Sequence, residues 1–386
     1  MKKQQSIVGA WLKRCLTVSM GVVAAAGMVA TANAKDYGKP GEPVELTIGY
    51  QPYYTQSWSG VVMRGQELWK KYLPEGSKVE FQIGLQGAII VNAMLAGKQD
   101  VGYMGDMPAI VSTTKETVAD VRLVGVLGVA HDQCNIFLVR NDAPQFKDPK
   151  EALKWLDGKR VAVPKGSCTD RYAQATFKKM EVEPAAYLNQ NIEVITSGFK
   201  AGKLDAAVIW EPTASKLVME GLARRVATGF AVDENDGGFL AMRADLIEQR
   251  PDVVEGWMKA ELDAQLYLAD PANYEKIAEM ATSQTTGFSK EVMWMSLAGK
   301  YPKAQDGGDV RNVMPYTFTD DAMELLRRAT AFLYEVKSIK VDKMRDNAVM
   351  PEFTQKILKE RGLQAPVGKI EAQPPEKMGI KIGEAG

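Results

Sequence analysis

Two stretches of this 386-residue chain nearly repeat one another: "AGKQDVGYMGD" at 96–106 and "AGKLDAAVIWE" at 201–211. Each ends on a carboxylate, Asp106 or Glu211, with a proline close behind, Pro108 or Pro212. A carboxylate so placed either receives an ammonium group or pairs with a nearby Lys or Arg to hold two parts of the molecule in line. The residue types leave both roles open. Trp210, beside Glu211, offers a flat apolar face for stacking on a ligand or for filling a core. In "YQPYYTQSW" (50–58), Gln51 and Tyr53 are candidate ligand contacts, because an amide and a phenol hydrogen-bond while the Tyr ring adds an apolar wall. Two further stretches, "GLQGA" (84–88) and "PKGSCTD" (164–170), stand where helices are expected to begin. Free amides and the positive end of the helix dipole attract anions there, and Ser167 and Thr169 add hydroxyls.

Most enzymatic chemistry is missing. A single histidine, His131, rules out multi-histidine metal sites and metalloprotease motifs. Neither a G-x-S-x-G elbow nor a G-x-G-x-x-G fingerprint occurs. "SGFKAGKLD" is one residue short of a phosphate loop and precedes a strand, so it reads as a helix cap. No catalytic residue, metal ligand or cofactor is assigned, and His131 reads as a crossover residue.

The elements that must position these groups follow from periodicity. "VELTIGY" (44–50) alternates as a strand, Trp58 to Tyr72 is helical, and "KVEFQIG" (78–84) is a strand. "LQGAIIVNAMLAGK" has helical spacing and a Gly97 cap, and "DVGYMGD" is a third strand. The β-α-β-α-β order returns with "KRVAVPKG", "SCTDRYAQATFKKM", "NIEVIT" read as a strand, "SGFKAG" read as a short helix, and "LDAAVIWE". Each repeated phrase is therefore a helix stop, a parallel strand and the loop leaving its carboxyl end, where open α/β sheets bind ligands. Between the units, "LVGVLGVAHDQCNIFLVRND" gives two strands broken at "HDQ". After them, "GFAVDENDGGFLAMRADL" reads as strand, turn and strand. The region from Ile247 to about Leu333 is mostly helical, "MPEFTQKILKERGL" is a last helix, and the tail from Gln364 is expected to lack order.

The length suits two domains, and 46% hydrophobic with 25% charged residues is an ordinary globular profile. Lys2, Lys3, Lys13 and Arg14 precede an apolar run from Leu16 to Ala30, and "TANAKD" supplies a small-x-small site, so cleavage is expected after Ala34. The apolar run falls short of the ~20 residues of a membrane span. Residues 35–386 then carry 44 basic against 48 acidic groups, a net charge of −4 that argues against non-specific nucleic-acid binding. Cys134 and Cys168 are left, as a disulfide or as two thiols.

Taken together, "IGYQP", "AMLAGKQDVGYMGDMPAI", "NIFLVRNDAPQFKDPKEALKWLDGKRVAVPKGS", "FKAGKLDAAVIWEP" and "GFLAMRADLIEQRPDVVEGWM" resemble the periplasmic substrate-binding proteins of ABC importers, in the sulfonate/taurine/nitrate family related to thiamine-precursor binders. The resemblance covers about Val44 to Leu363. It implies an α/β fold of type II periplasmic-binding-protein clamshell form, each lobe a mainly parallel sheet flanked by helices, with a two-strand hinge. Residues 1–34 would be the signal peptide, 35–43 a linker, 44–132 and 237–363 lobe one, 133–236 lobe two, and 364–386 a disordered tail. The pocket residues it implies are Gln51, Tyr53, Gln86, Gly87, Ser167, Thr169, Trp210 and Glu211, with Asp106 by position. The implied function is an exported, monomeric receptor that captures a small organic anion, a sulfonate or sulfate ester, and delivers it to the permease and ATPase of an importer. Nitrate, bicarbonate, an aromatic carboxylate or a pyrimidine are alternative ligands. An enzyme resembling the thiamine-pyrimidine synthases is the rival from another class, and an exported sensor partner is a third reading. Many family members place a Ser or Thr where this chain has "QGAII". With the aromatic "PYYTQSW", that departure implies a different head group or a larger apolar ligand.

Overall fold

A computed structural model describes residues 35–381. The signal-peptide expectation falls on residues outside that range. The chain begins with β1 (Glu45–Tyr50), α1 (Trp58–Gln66), β2 (Lys78–Ile83), α2 (Gly87–Leu95), β3 (Val101–Gly105), α3 (Asp106–Thr113) and β4 (Val121–Ala130). It continues through β5 (Ile136–Arg140), α4 (Pro149–Trp155), β6 (Arg160–Val163), α5 (Cys168–Met180), β7 (Ala186–Asn189), α6 (Ile192–Lys200), β8 (Ala206–Ile209), α7 (Thr213–Met219) and β9 (Ala223–Thr228). Then come β10 (Asp236–Arg243), α8 (Ala244–Gln249), α9 (Pro251–Ala269), α10 (Tyr274–Ser283), α11 (Lys290–Ala298), β11 (Val310–Met314), α12 (Asp320–Glu335), α13 (Glu352–Arg361) and β12 (Gly368–Glu371).

Two sheets result, a seven-stranded one ordered β12-β11-β4-β10-β3-β1-β2 and a five-stranded one ordered β7-β6-β8-β5-β9. Each contains the same three-strand parallel unit, with its first strand between the second and the third. Parallel pairing stops there. The remaining strands join antiparallel, so the sheets are mixed rather than mainly parallel. The reason is connectivity, since β4 and β10 carry the chain out of the first sheet and back into it.

The repeated phrase has a structural cause in both units. Gly97 (φ 70°) and Gly202 (φ 62°) end α2 and α6 in the left-handed region that glycine adopts freely. The Asp that follows then clamps the third strand to the first. Asp100 accepts from the Thr47 amide at 2.7 Å, and Asp205 accepts from the Arg160 amide at 2.9 Å.

Helices cover both faces of each sheet. α1, α9, α10, α11 and α13 bury Trp58, Trp257 and Tyr274 against one face of the larger sheet, and α2, α3 and α12 cover the other. α4 and α5 lie on one face of the smaller sheet, with α6 and α7 opposite. The first lobe is the larger sheet with its helices; the second is the smaller sheet with its own. The chain passes between them along residues 131–135 and 229–235. The two crossings touch: the Gly229 amide donates to the His131 carbonyl at 2.8 Å.

Four further expectations differ from the structure. "NIEVIT" is the start of α6, not a strand. The Asn191 side chain accepts from the Val194 amide at 2.9 Å, and Ile195 and Phe199 bury one helical face, so a cap and helical spacing override the β-branched residues. The strand of that unit, β7, lies one segment earlier. "GFAV" is a 3-10 turn after β9. Residues 35–43, expected as a linker, dock on the first lobe: the Tyr37 hydroxyl donates to Asp100 at 2.8 Å and Arg250 donates to the Tyr37 carbonyl at 2.9 Å. The expected tail is ordered as far as it is described, because β12 adds an antiparallel edge to β11.

Candidate functional site

A cavity of about 190 Å³ lies between the lobes. Its first wall is the turn after β1. Gln51 donates to the Tyr103 carbonyl at 3.2 Å, which anchors the turn to β3. Tyr54, buried, hydrogen-bonds Gln56 and lies 3.4 Å from Asp236 through its hydroxyl.

The second wall is the start of α2. Gln86 is its N-cap, in extended backbone conformation, and the Gln86 side chain makes no capping bond. A Cβ on Gly87 would collide with the Pro108 ring, so only glycine lets α2 sit this close to α3. The third wall is the start of α5 in the opposite lobe. Ser167 caps it without bonding its amides; the Ser167 hydroxyl is engaged instead with the Pro164 carbonyl and the Thr169 hydroxyl, both at 2.6 Å. Two helix starts from opposite lobes thus face one cavity with no side chain bonded to their amides. The first two amides of each helix have no partner within their own helix, and both dipoles raise the local potential.

Trp210 closes the fourth side. Its indole nitrogen donates across the cleft to the Tyr53 carbonyl at 3.1 Å. Its ring packs with Tyr54 and with Cys134 and Cys168, which form a disulfide with Cα atoms 6.1 Å apart. That bond ties the first crossing to the start of α5.

Of the nine sequence-predicted site residues, Gln51, Gln86, Gly87, Ser167 and Trp210 line this cavity, and four do not. Tyr53 faces an outer cavity of about 410 Å³, where its hydroxyl accepts from the Thr286 amide at 3.0 Å and its ring leans on Phe288. Its neighbour Tyr54 takes the inner position, since adjacent residues in the turn point to different sides. Thr169 is wholly buried behind Ser167.

Asp106 and Glu211 are the main correction. Both are wholly buried and each pairs with an arginine from the other lobe. Asp106 accepts from Arg171 of α5 at 3.1 Å and from the Met107 amide at 2.7 Å. Glu211 accepts from Arg311 of β11 at 3.1 Å and from the Ser215 amide at 2.9 Å. Burial pushes both carboxyls above the ordinary range, opposed chiefly by those same guanidiniums. Asp132, at the first crossing, binds Arg311 and also Arg225 of β9, the latter at 2.9 Å. Of the two roles open for these carboxylates, lobe alignment is the one the geometry provides.

Tyr54, Lys165, Val91 and Pro108 also line the cavity and were missed. Val91 follows Gly87 at helical i,i+4 spacing, which would have found it. His131 stacks on Phe230 with ring centres 4.7 Å apart, outside the cavity, and burial holds its imidazole below the ordinary value.

Residues 39–282 match the model of the NMT1-like family. The chain is 25% identical to the taurine-binding periplasmic protein of Escherichia coli (strain K12), over 62% of this chain and 74% of that protein. Further curated relatives align over 60–63% of their own lengths. Among solved structures, the alkanesulfonate-binding protein SsuA from Xanthomonas axonopodis pv. citri superposes with a TM-score of 0.63 at 21% identity, covering 80% of this chain and 99% of that one. The desulfurization enzyme DszB superposes with a TM-score of 0.58 at 17% identity, covering 82% and 99%. At those identities the two structures establish the fold, a two-lobed periplasmic-binding-protein architecture. With its own sheets in that arrangement and more than half its length matched, the chain belongs to the NMT1-like family.

Proposed function

We propose that this protein is the exported solute receptor of an ABC importer. It closes two lobes over a small organic anion with a sulfonate-type head group and presents it, as a monomer in the periplasm, to the membrane permease and its ATPase. The observation that carries the reading is the pair of helix starts, α2 and α5, that face one cavity from opposite lobes with no side chain capping their amides. Lobe closure brings both dipoles onto a single head group, so ligand and closed form stabilise each other. The taurine- and alkanesulfonate-binding relatives support the head-group class.

An enzyme on this scaffold is the weaker reading. Both described cysteines are joined in the disulfide, and His131 lies off the cavity. The test is a thermal-shift series on the protein expressed from its full sequence and purified after export. The series holds sulfonates, a sulfate ester, nitrate, bicarbonate, benzoate and an aminomethylpyrimidine. A ligand at about 100 times its dissociation constant adds ~2.7 kcal/mol, a clear rise in melting temperature. Stabilisation by sulfonates supports the proposal. Stabilisation by nitrate or benzoate alone replaces the head group, and no response to any anion overturns the receptor reading.

A further inference from the structure

We propose that the ligand is an anion with a compact aromatic body and no ammonium group, so that taurine-like zwitterions are rejected. This rests on the anion-receptor reading above and narrows it.

Size comes first. A cavity of about 150 Å³ accommodates benzene, so about 190 Å³ holds one ring with a small head group. The walls match a ring in chemistry. Tyr54 and Trp210 are 4% and 7% exposed and stand beside the Cys134–Cys168 disulfide, while Val91 and Pro108, from the first lobe like Tyr54, add aliphatic surface. Aromatic faces held rigid in this way favour a flat apolar partner over a flexible chain.

Charge is the second argument. Among the described residues Lys165 is the one ionic side chain on the inner wall, exposed, with its ammonium 4.7 Å from the centre of the Tyr187 ring. It adds positive potential to that of the two helix starts. Among the described residues no carboxylate lines the inner wall. Asp106 and Glu211 are held by Arg171 and Arg311. Asp170, in the first turn of α5, accepts from the Gly166 amide, Gln174 and Tyr187. Asp236 is wholly buried behind Tyr54. Glu193 lines only the outer cavity, across Trp210. An ammonium entering the inner cavity would lose its water, meet two positive helix ends and find no counter-charge.

The test is titration calorimetry of the purified protein with benzenesulfonate, ethanesulfonate and taurine. Ethanesulfonate and taurine differ by the amine alone, and benzenesulfonate and ethanesulfonate differ by the body alone. Affinity should fall at least tenfold at each step, in that order. Any other order, or a smaller ratio at either step, overturns the inference while leaving an anion receptor in place. If none of the three binds, the sulfonate reading itself falls, and the inference with it.

Discussion

Trp210 lines the inner cavity with its ring and ties the lobes together through its indole N–H to the Tyr53 carbonyl. Losing a stacking face together with its buried area removes about 2–3 kcal/mol of binding, roughly a 30-fold or greater loss of affinity. Trp210→Ala should therefore bind benzenesulfonate at least 30-fold more weakly by calorimetry. Trp210→Phe, which keeps a ring and loses the cross-lobe hydrogen bond, should fall between the two. Equal affinity in Trp210→Ala would remove Trp210 from the site. Trp210 and Gln51 were legible in sequence because a strand end fixes where the following residue sits. The exchange of Tyr53 for Tyr54 was not legible, because only the turn's backbone decides which of two adjacent phenols faces inward.

Between elements, Glu261 on α9 is the informative group. It accepts from the Tyr103 hydroxyl of β3 and from Gln265, each at 2.9 Å, wholly buried. Burial pushes its carboxyl up to about 7, and hydrogen bonds from Gln265, Ser59 and Tyr103 only partly oppose the shift. The folded state therefore keeps a proton that the unfolded chain, with an ordinary value near 4.5, has already released. Where the native state binds more protons, stability falls as pH rises. The share from Glu261 is present below about pH 4.5 and is lost toward pH 7, a change of about 3 kcal/mol. Glu261→Gln mimics the protonated acid and should lose that share of the slope. In urea unfolding across pH 4–8, its stability should rise relative to the native protein by about 3 kcal/mol; parallel curves would show that Glu261 is ionised in the fold. The misread start of α6 belongs to this scale too. A side-chain cap at Asn191 and helical burial of Ile195 and Phe199 outweighed β-branched propensity, and that balance is set by the sheet the helix packs on.

Across the whole molecule, the lobes are joined by charge as well as by chain. Asp132 and Glu211 face Arg225 and Arg311 in a fully buried cluster, with the two guanidiniums 4.2 and 5.6 Å from the Tyr301 ring centre. Two carboxylates balance two guanidiniums, so deleting one acid leaves a buried charge unpaired. That costs about 3–5 kcal/mol. Glu211→Ala should lose that much unfolding free energy in ligand-free protein, measured by denaturant titration. A loss below about 1 kcal/mol, the scale of an exposed pair, would return Glu211 to the role of a ligand contact.

The sequence by itself determined the two repeated α/β units, the crossover at "HDQ" and the rim on which the site lies. Those features follow from local periodicity, from glycine caps and from the rule that strand ends carry loops. Only the tertiary structure decided what the rim residues do. Asp106 and Glu211 hold equivalent places in the two units, yet their partners Arg171 and Arg311 come from the opposite lobe, 65 and 100 residues away. The mixed pairing of the sheets, the ordering of 35–43 and β12, and the Cys134–Cys168 bond likewise depend on segments distant in sequence. Whether a carboxylate meets a ligand or a guanidinium depends on which distant group is buried beside it, and no local pattern encodes that distance.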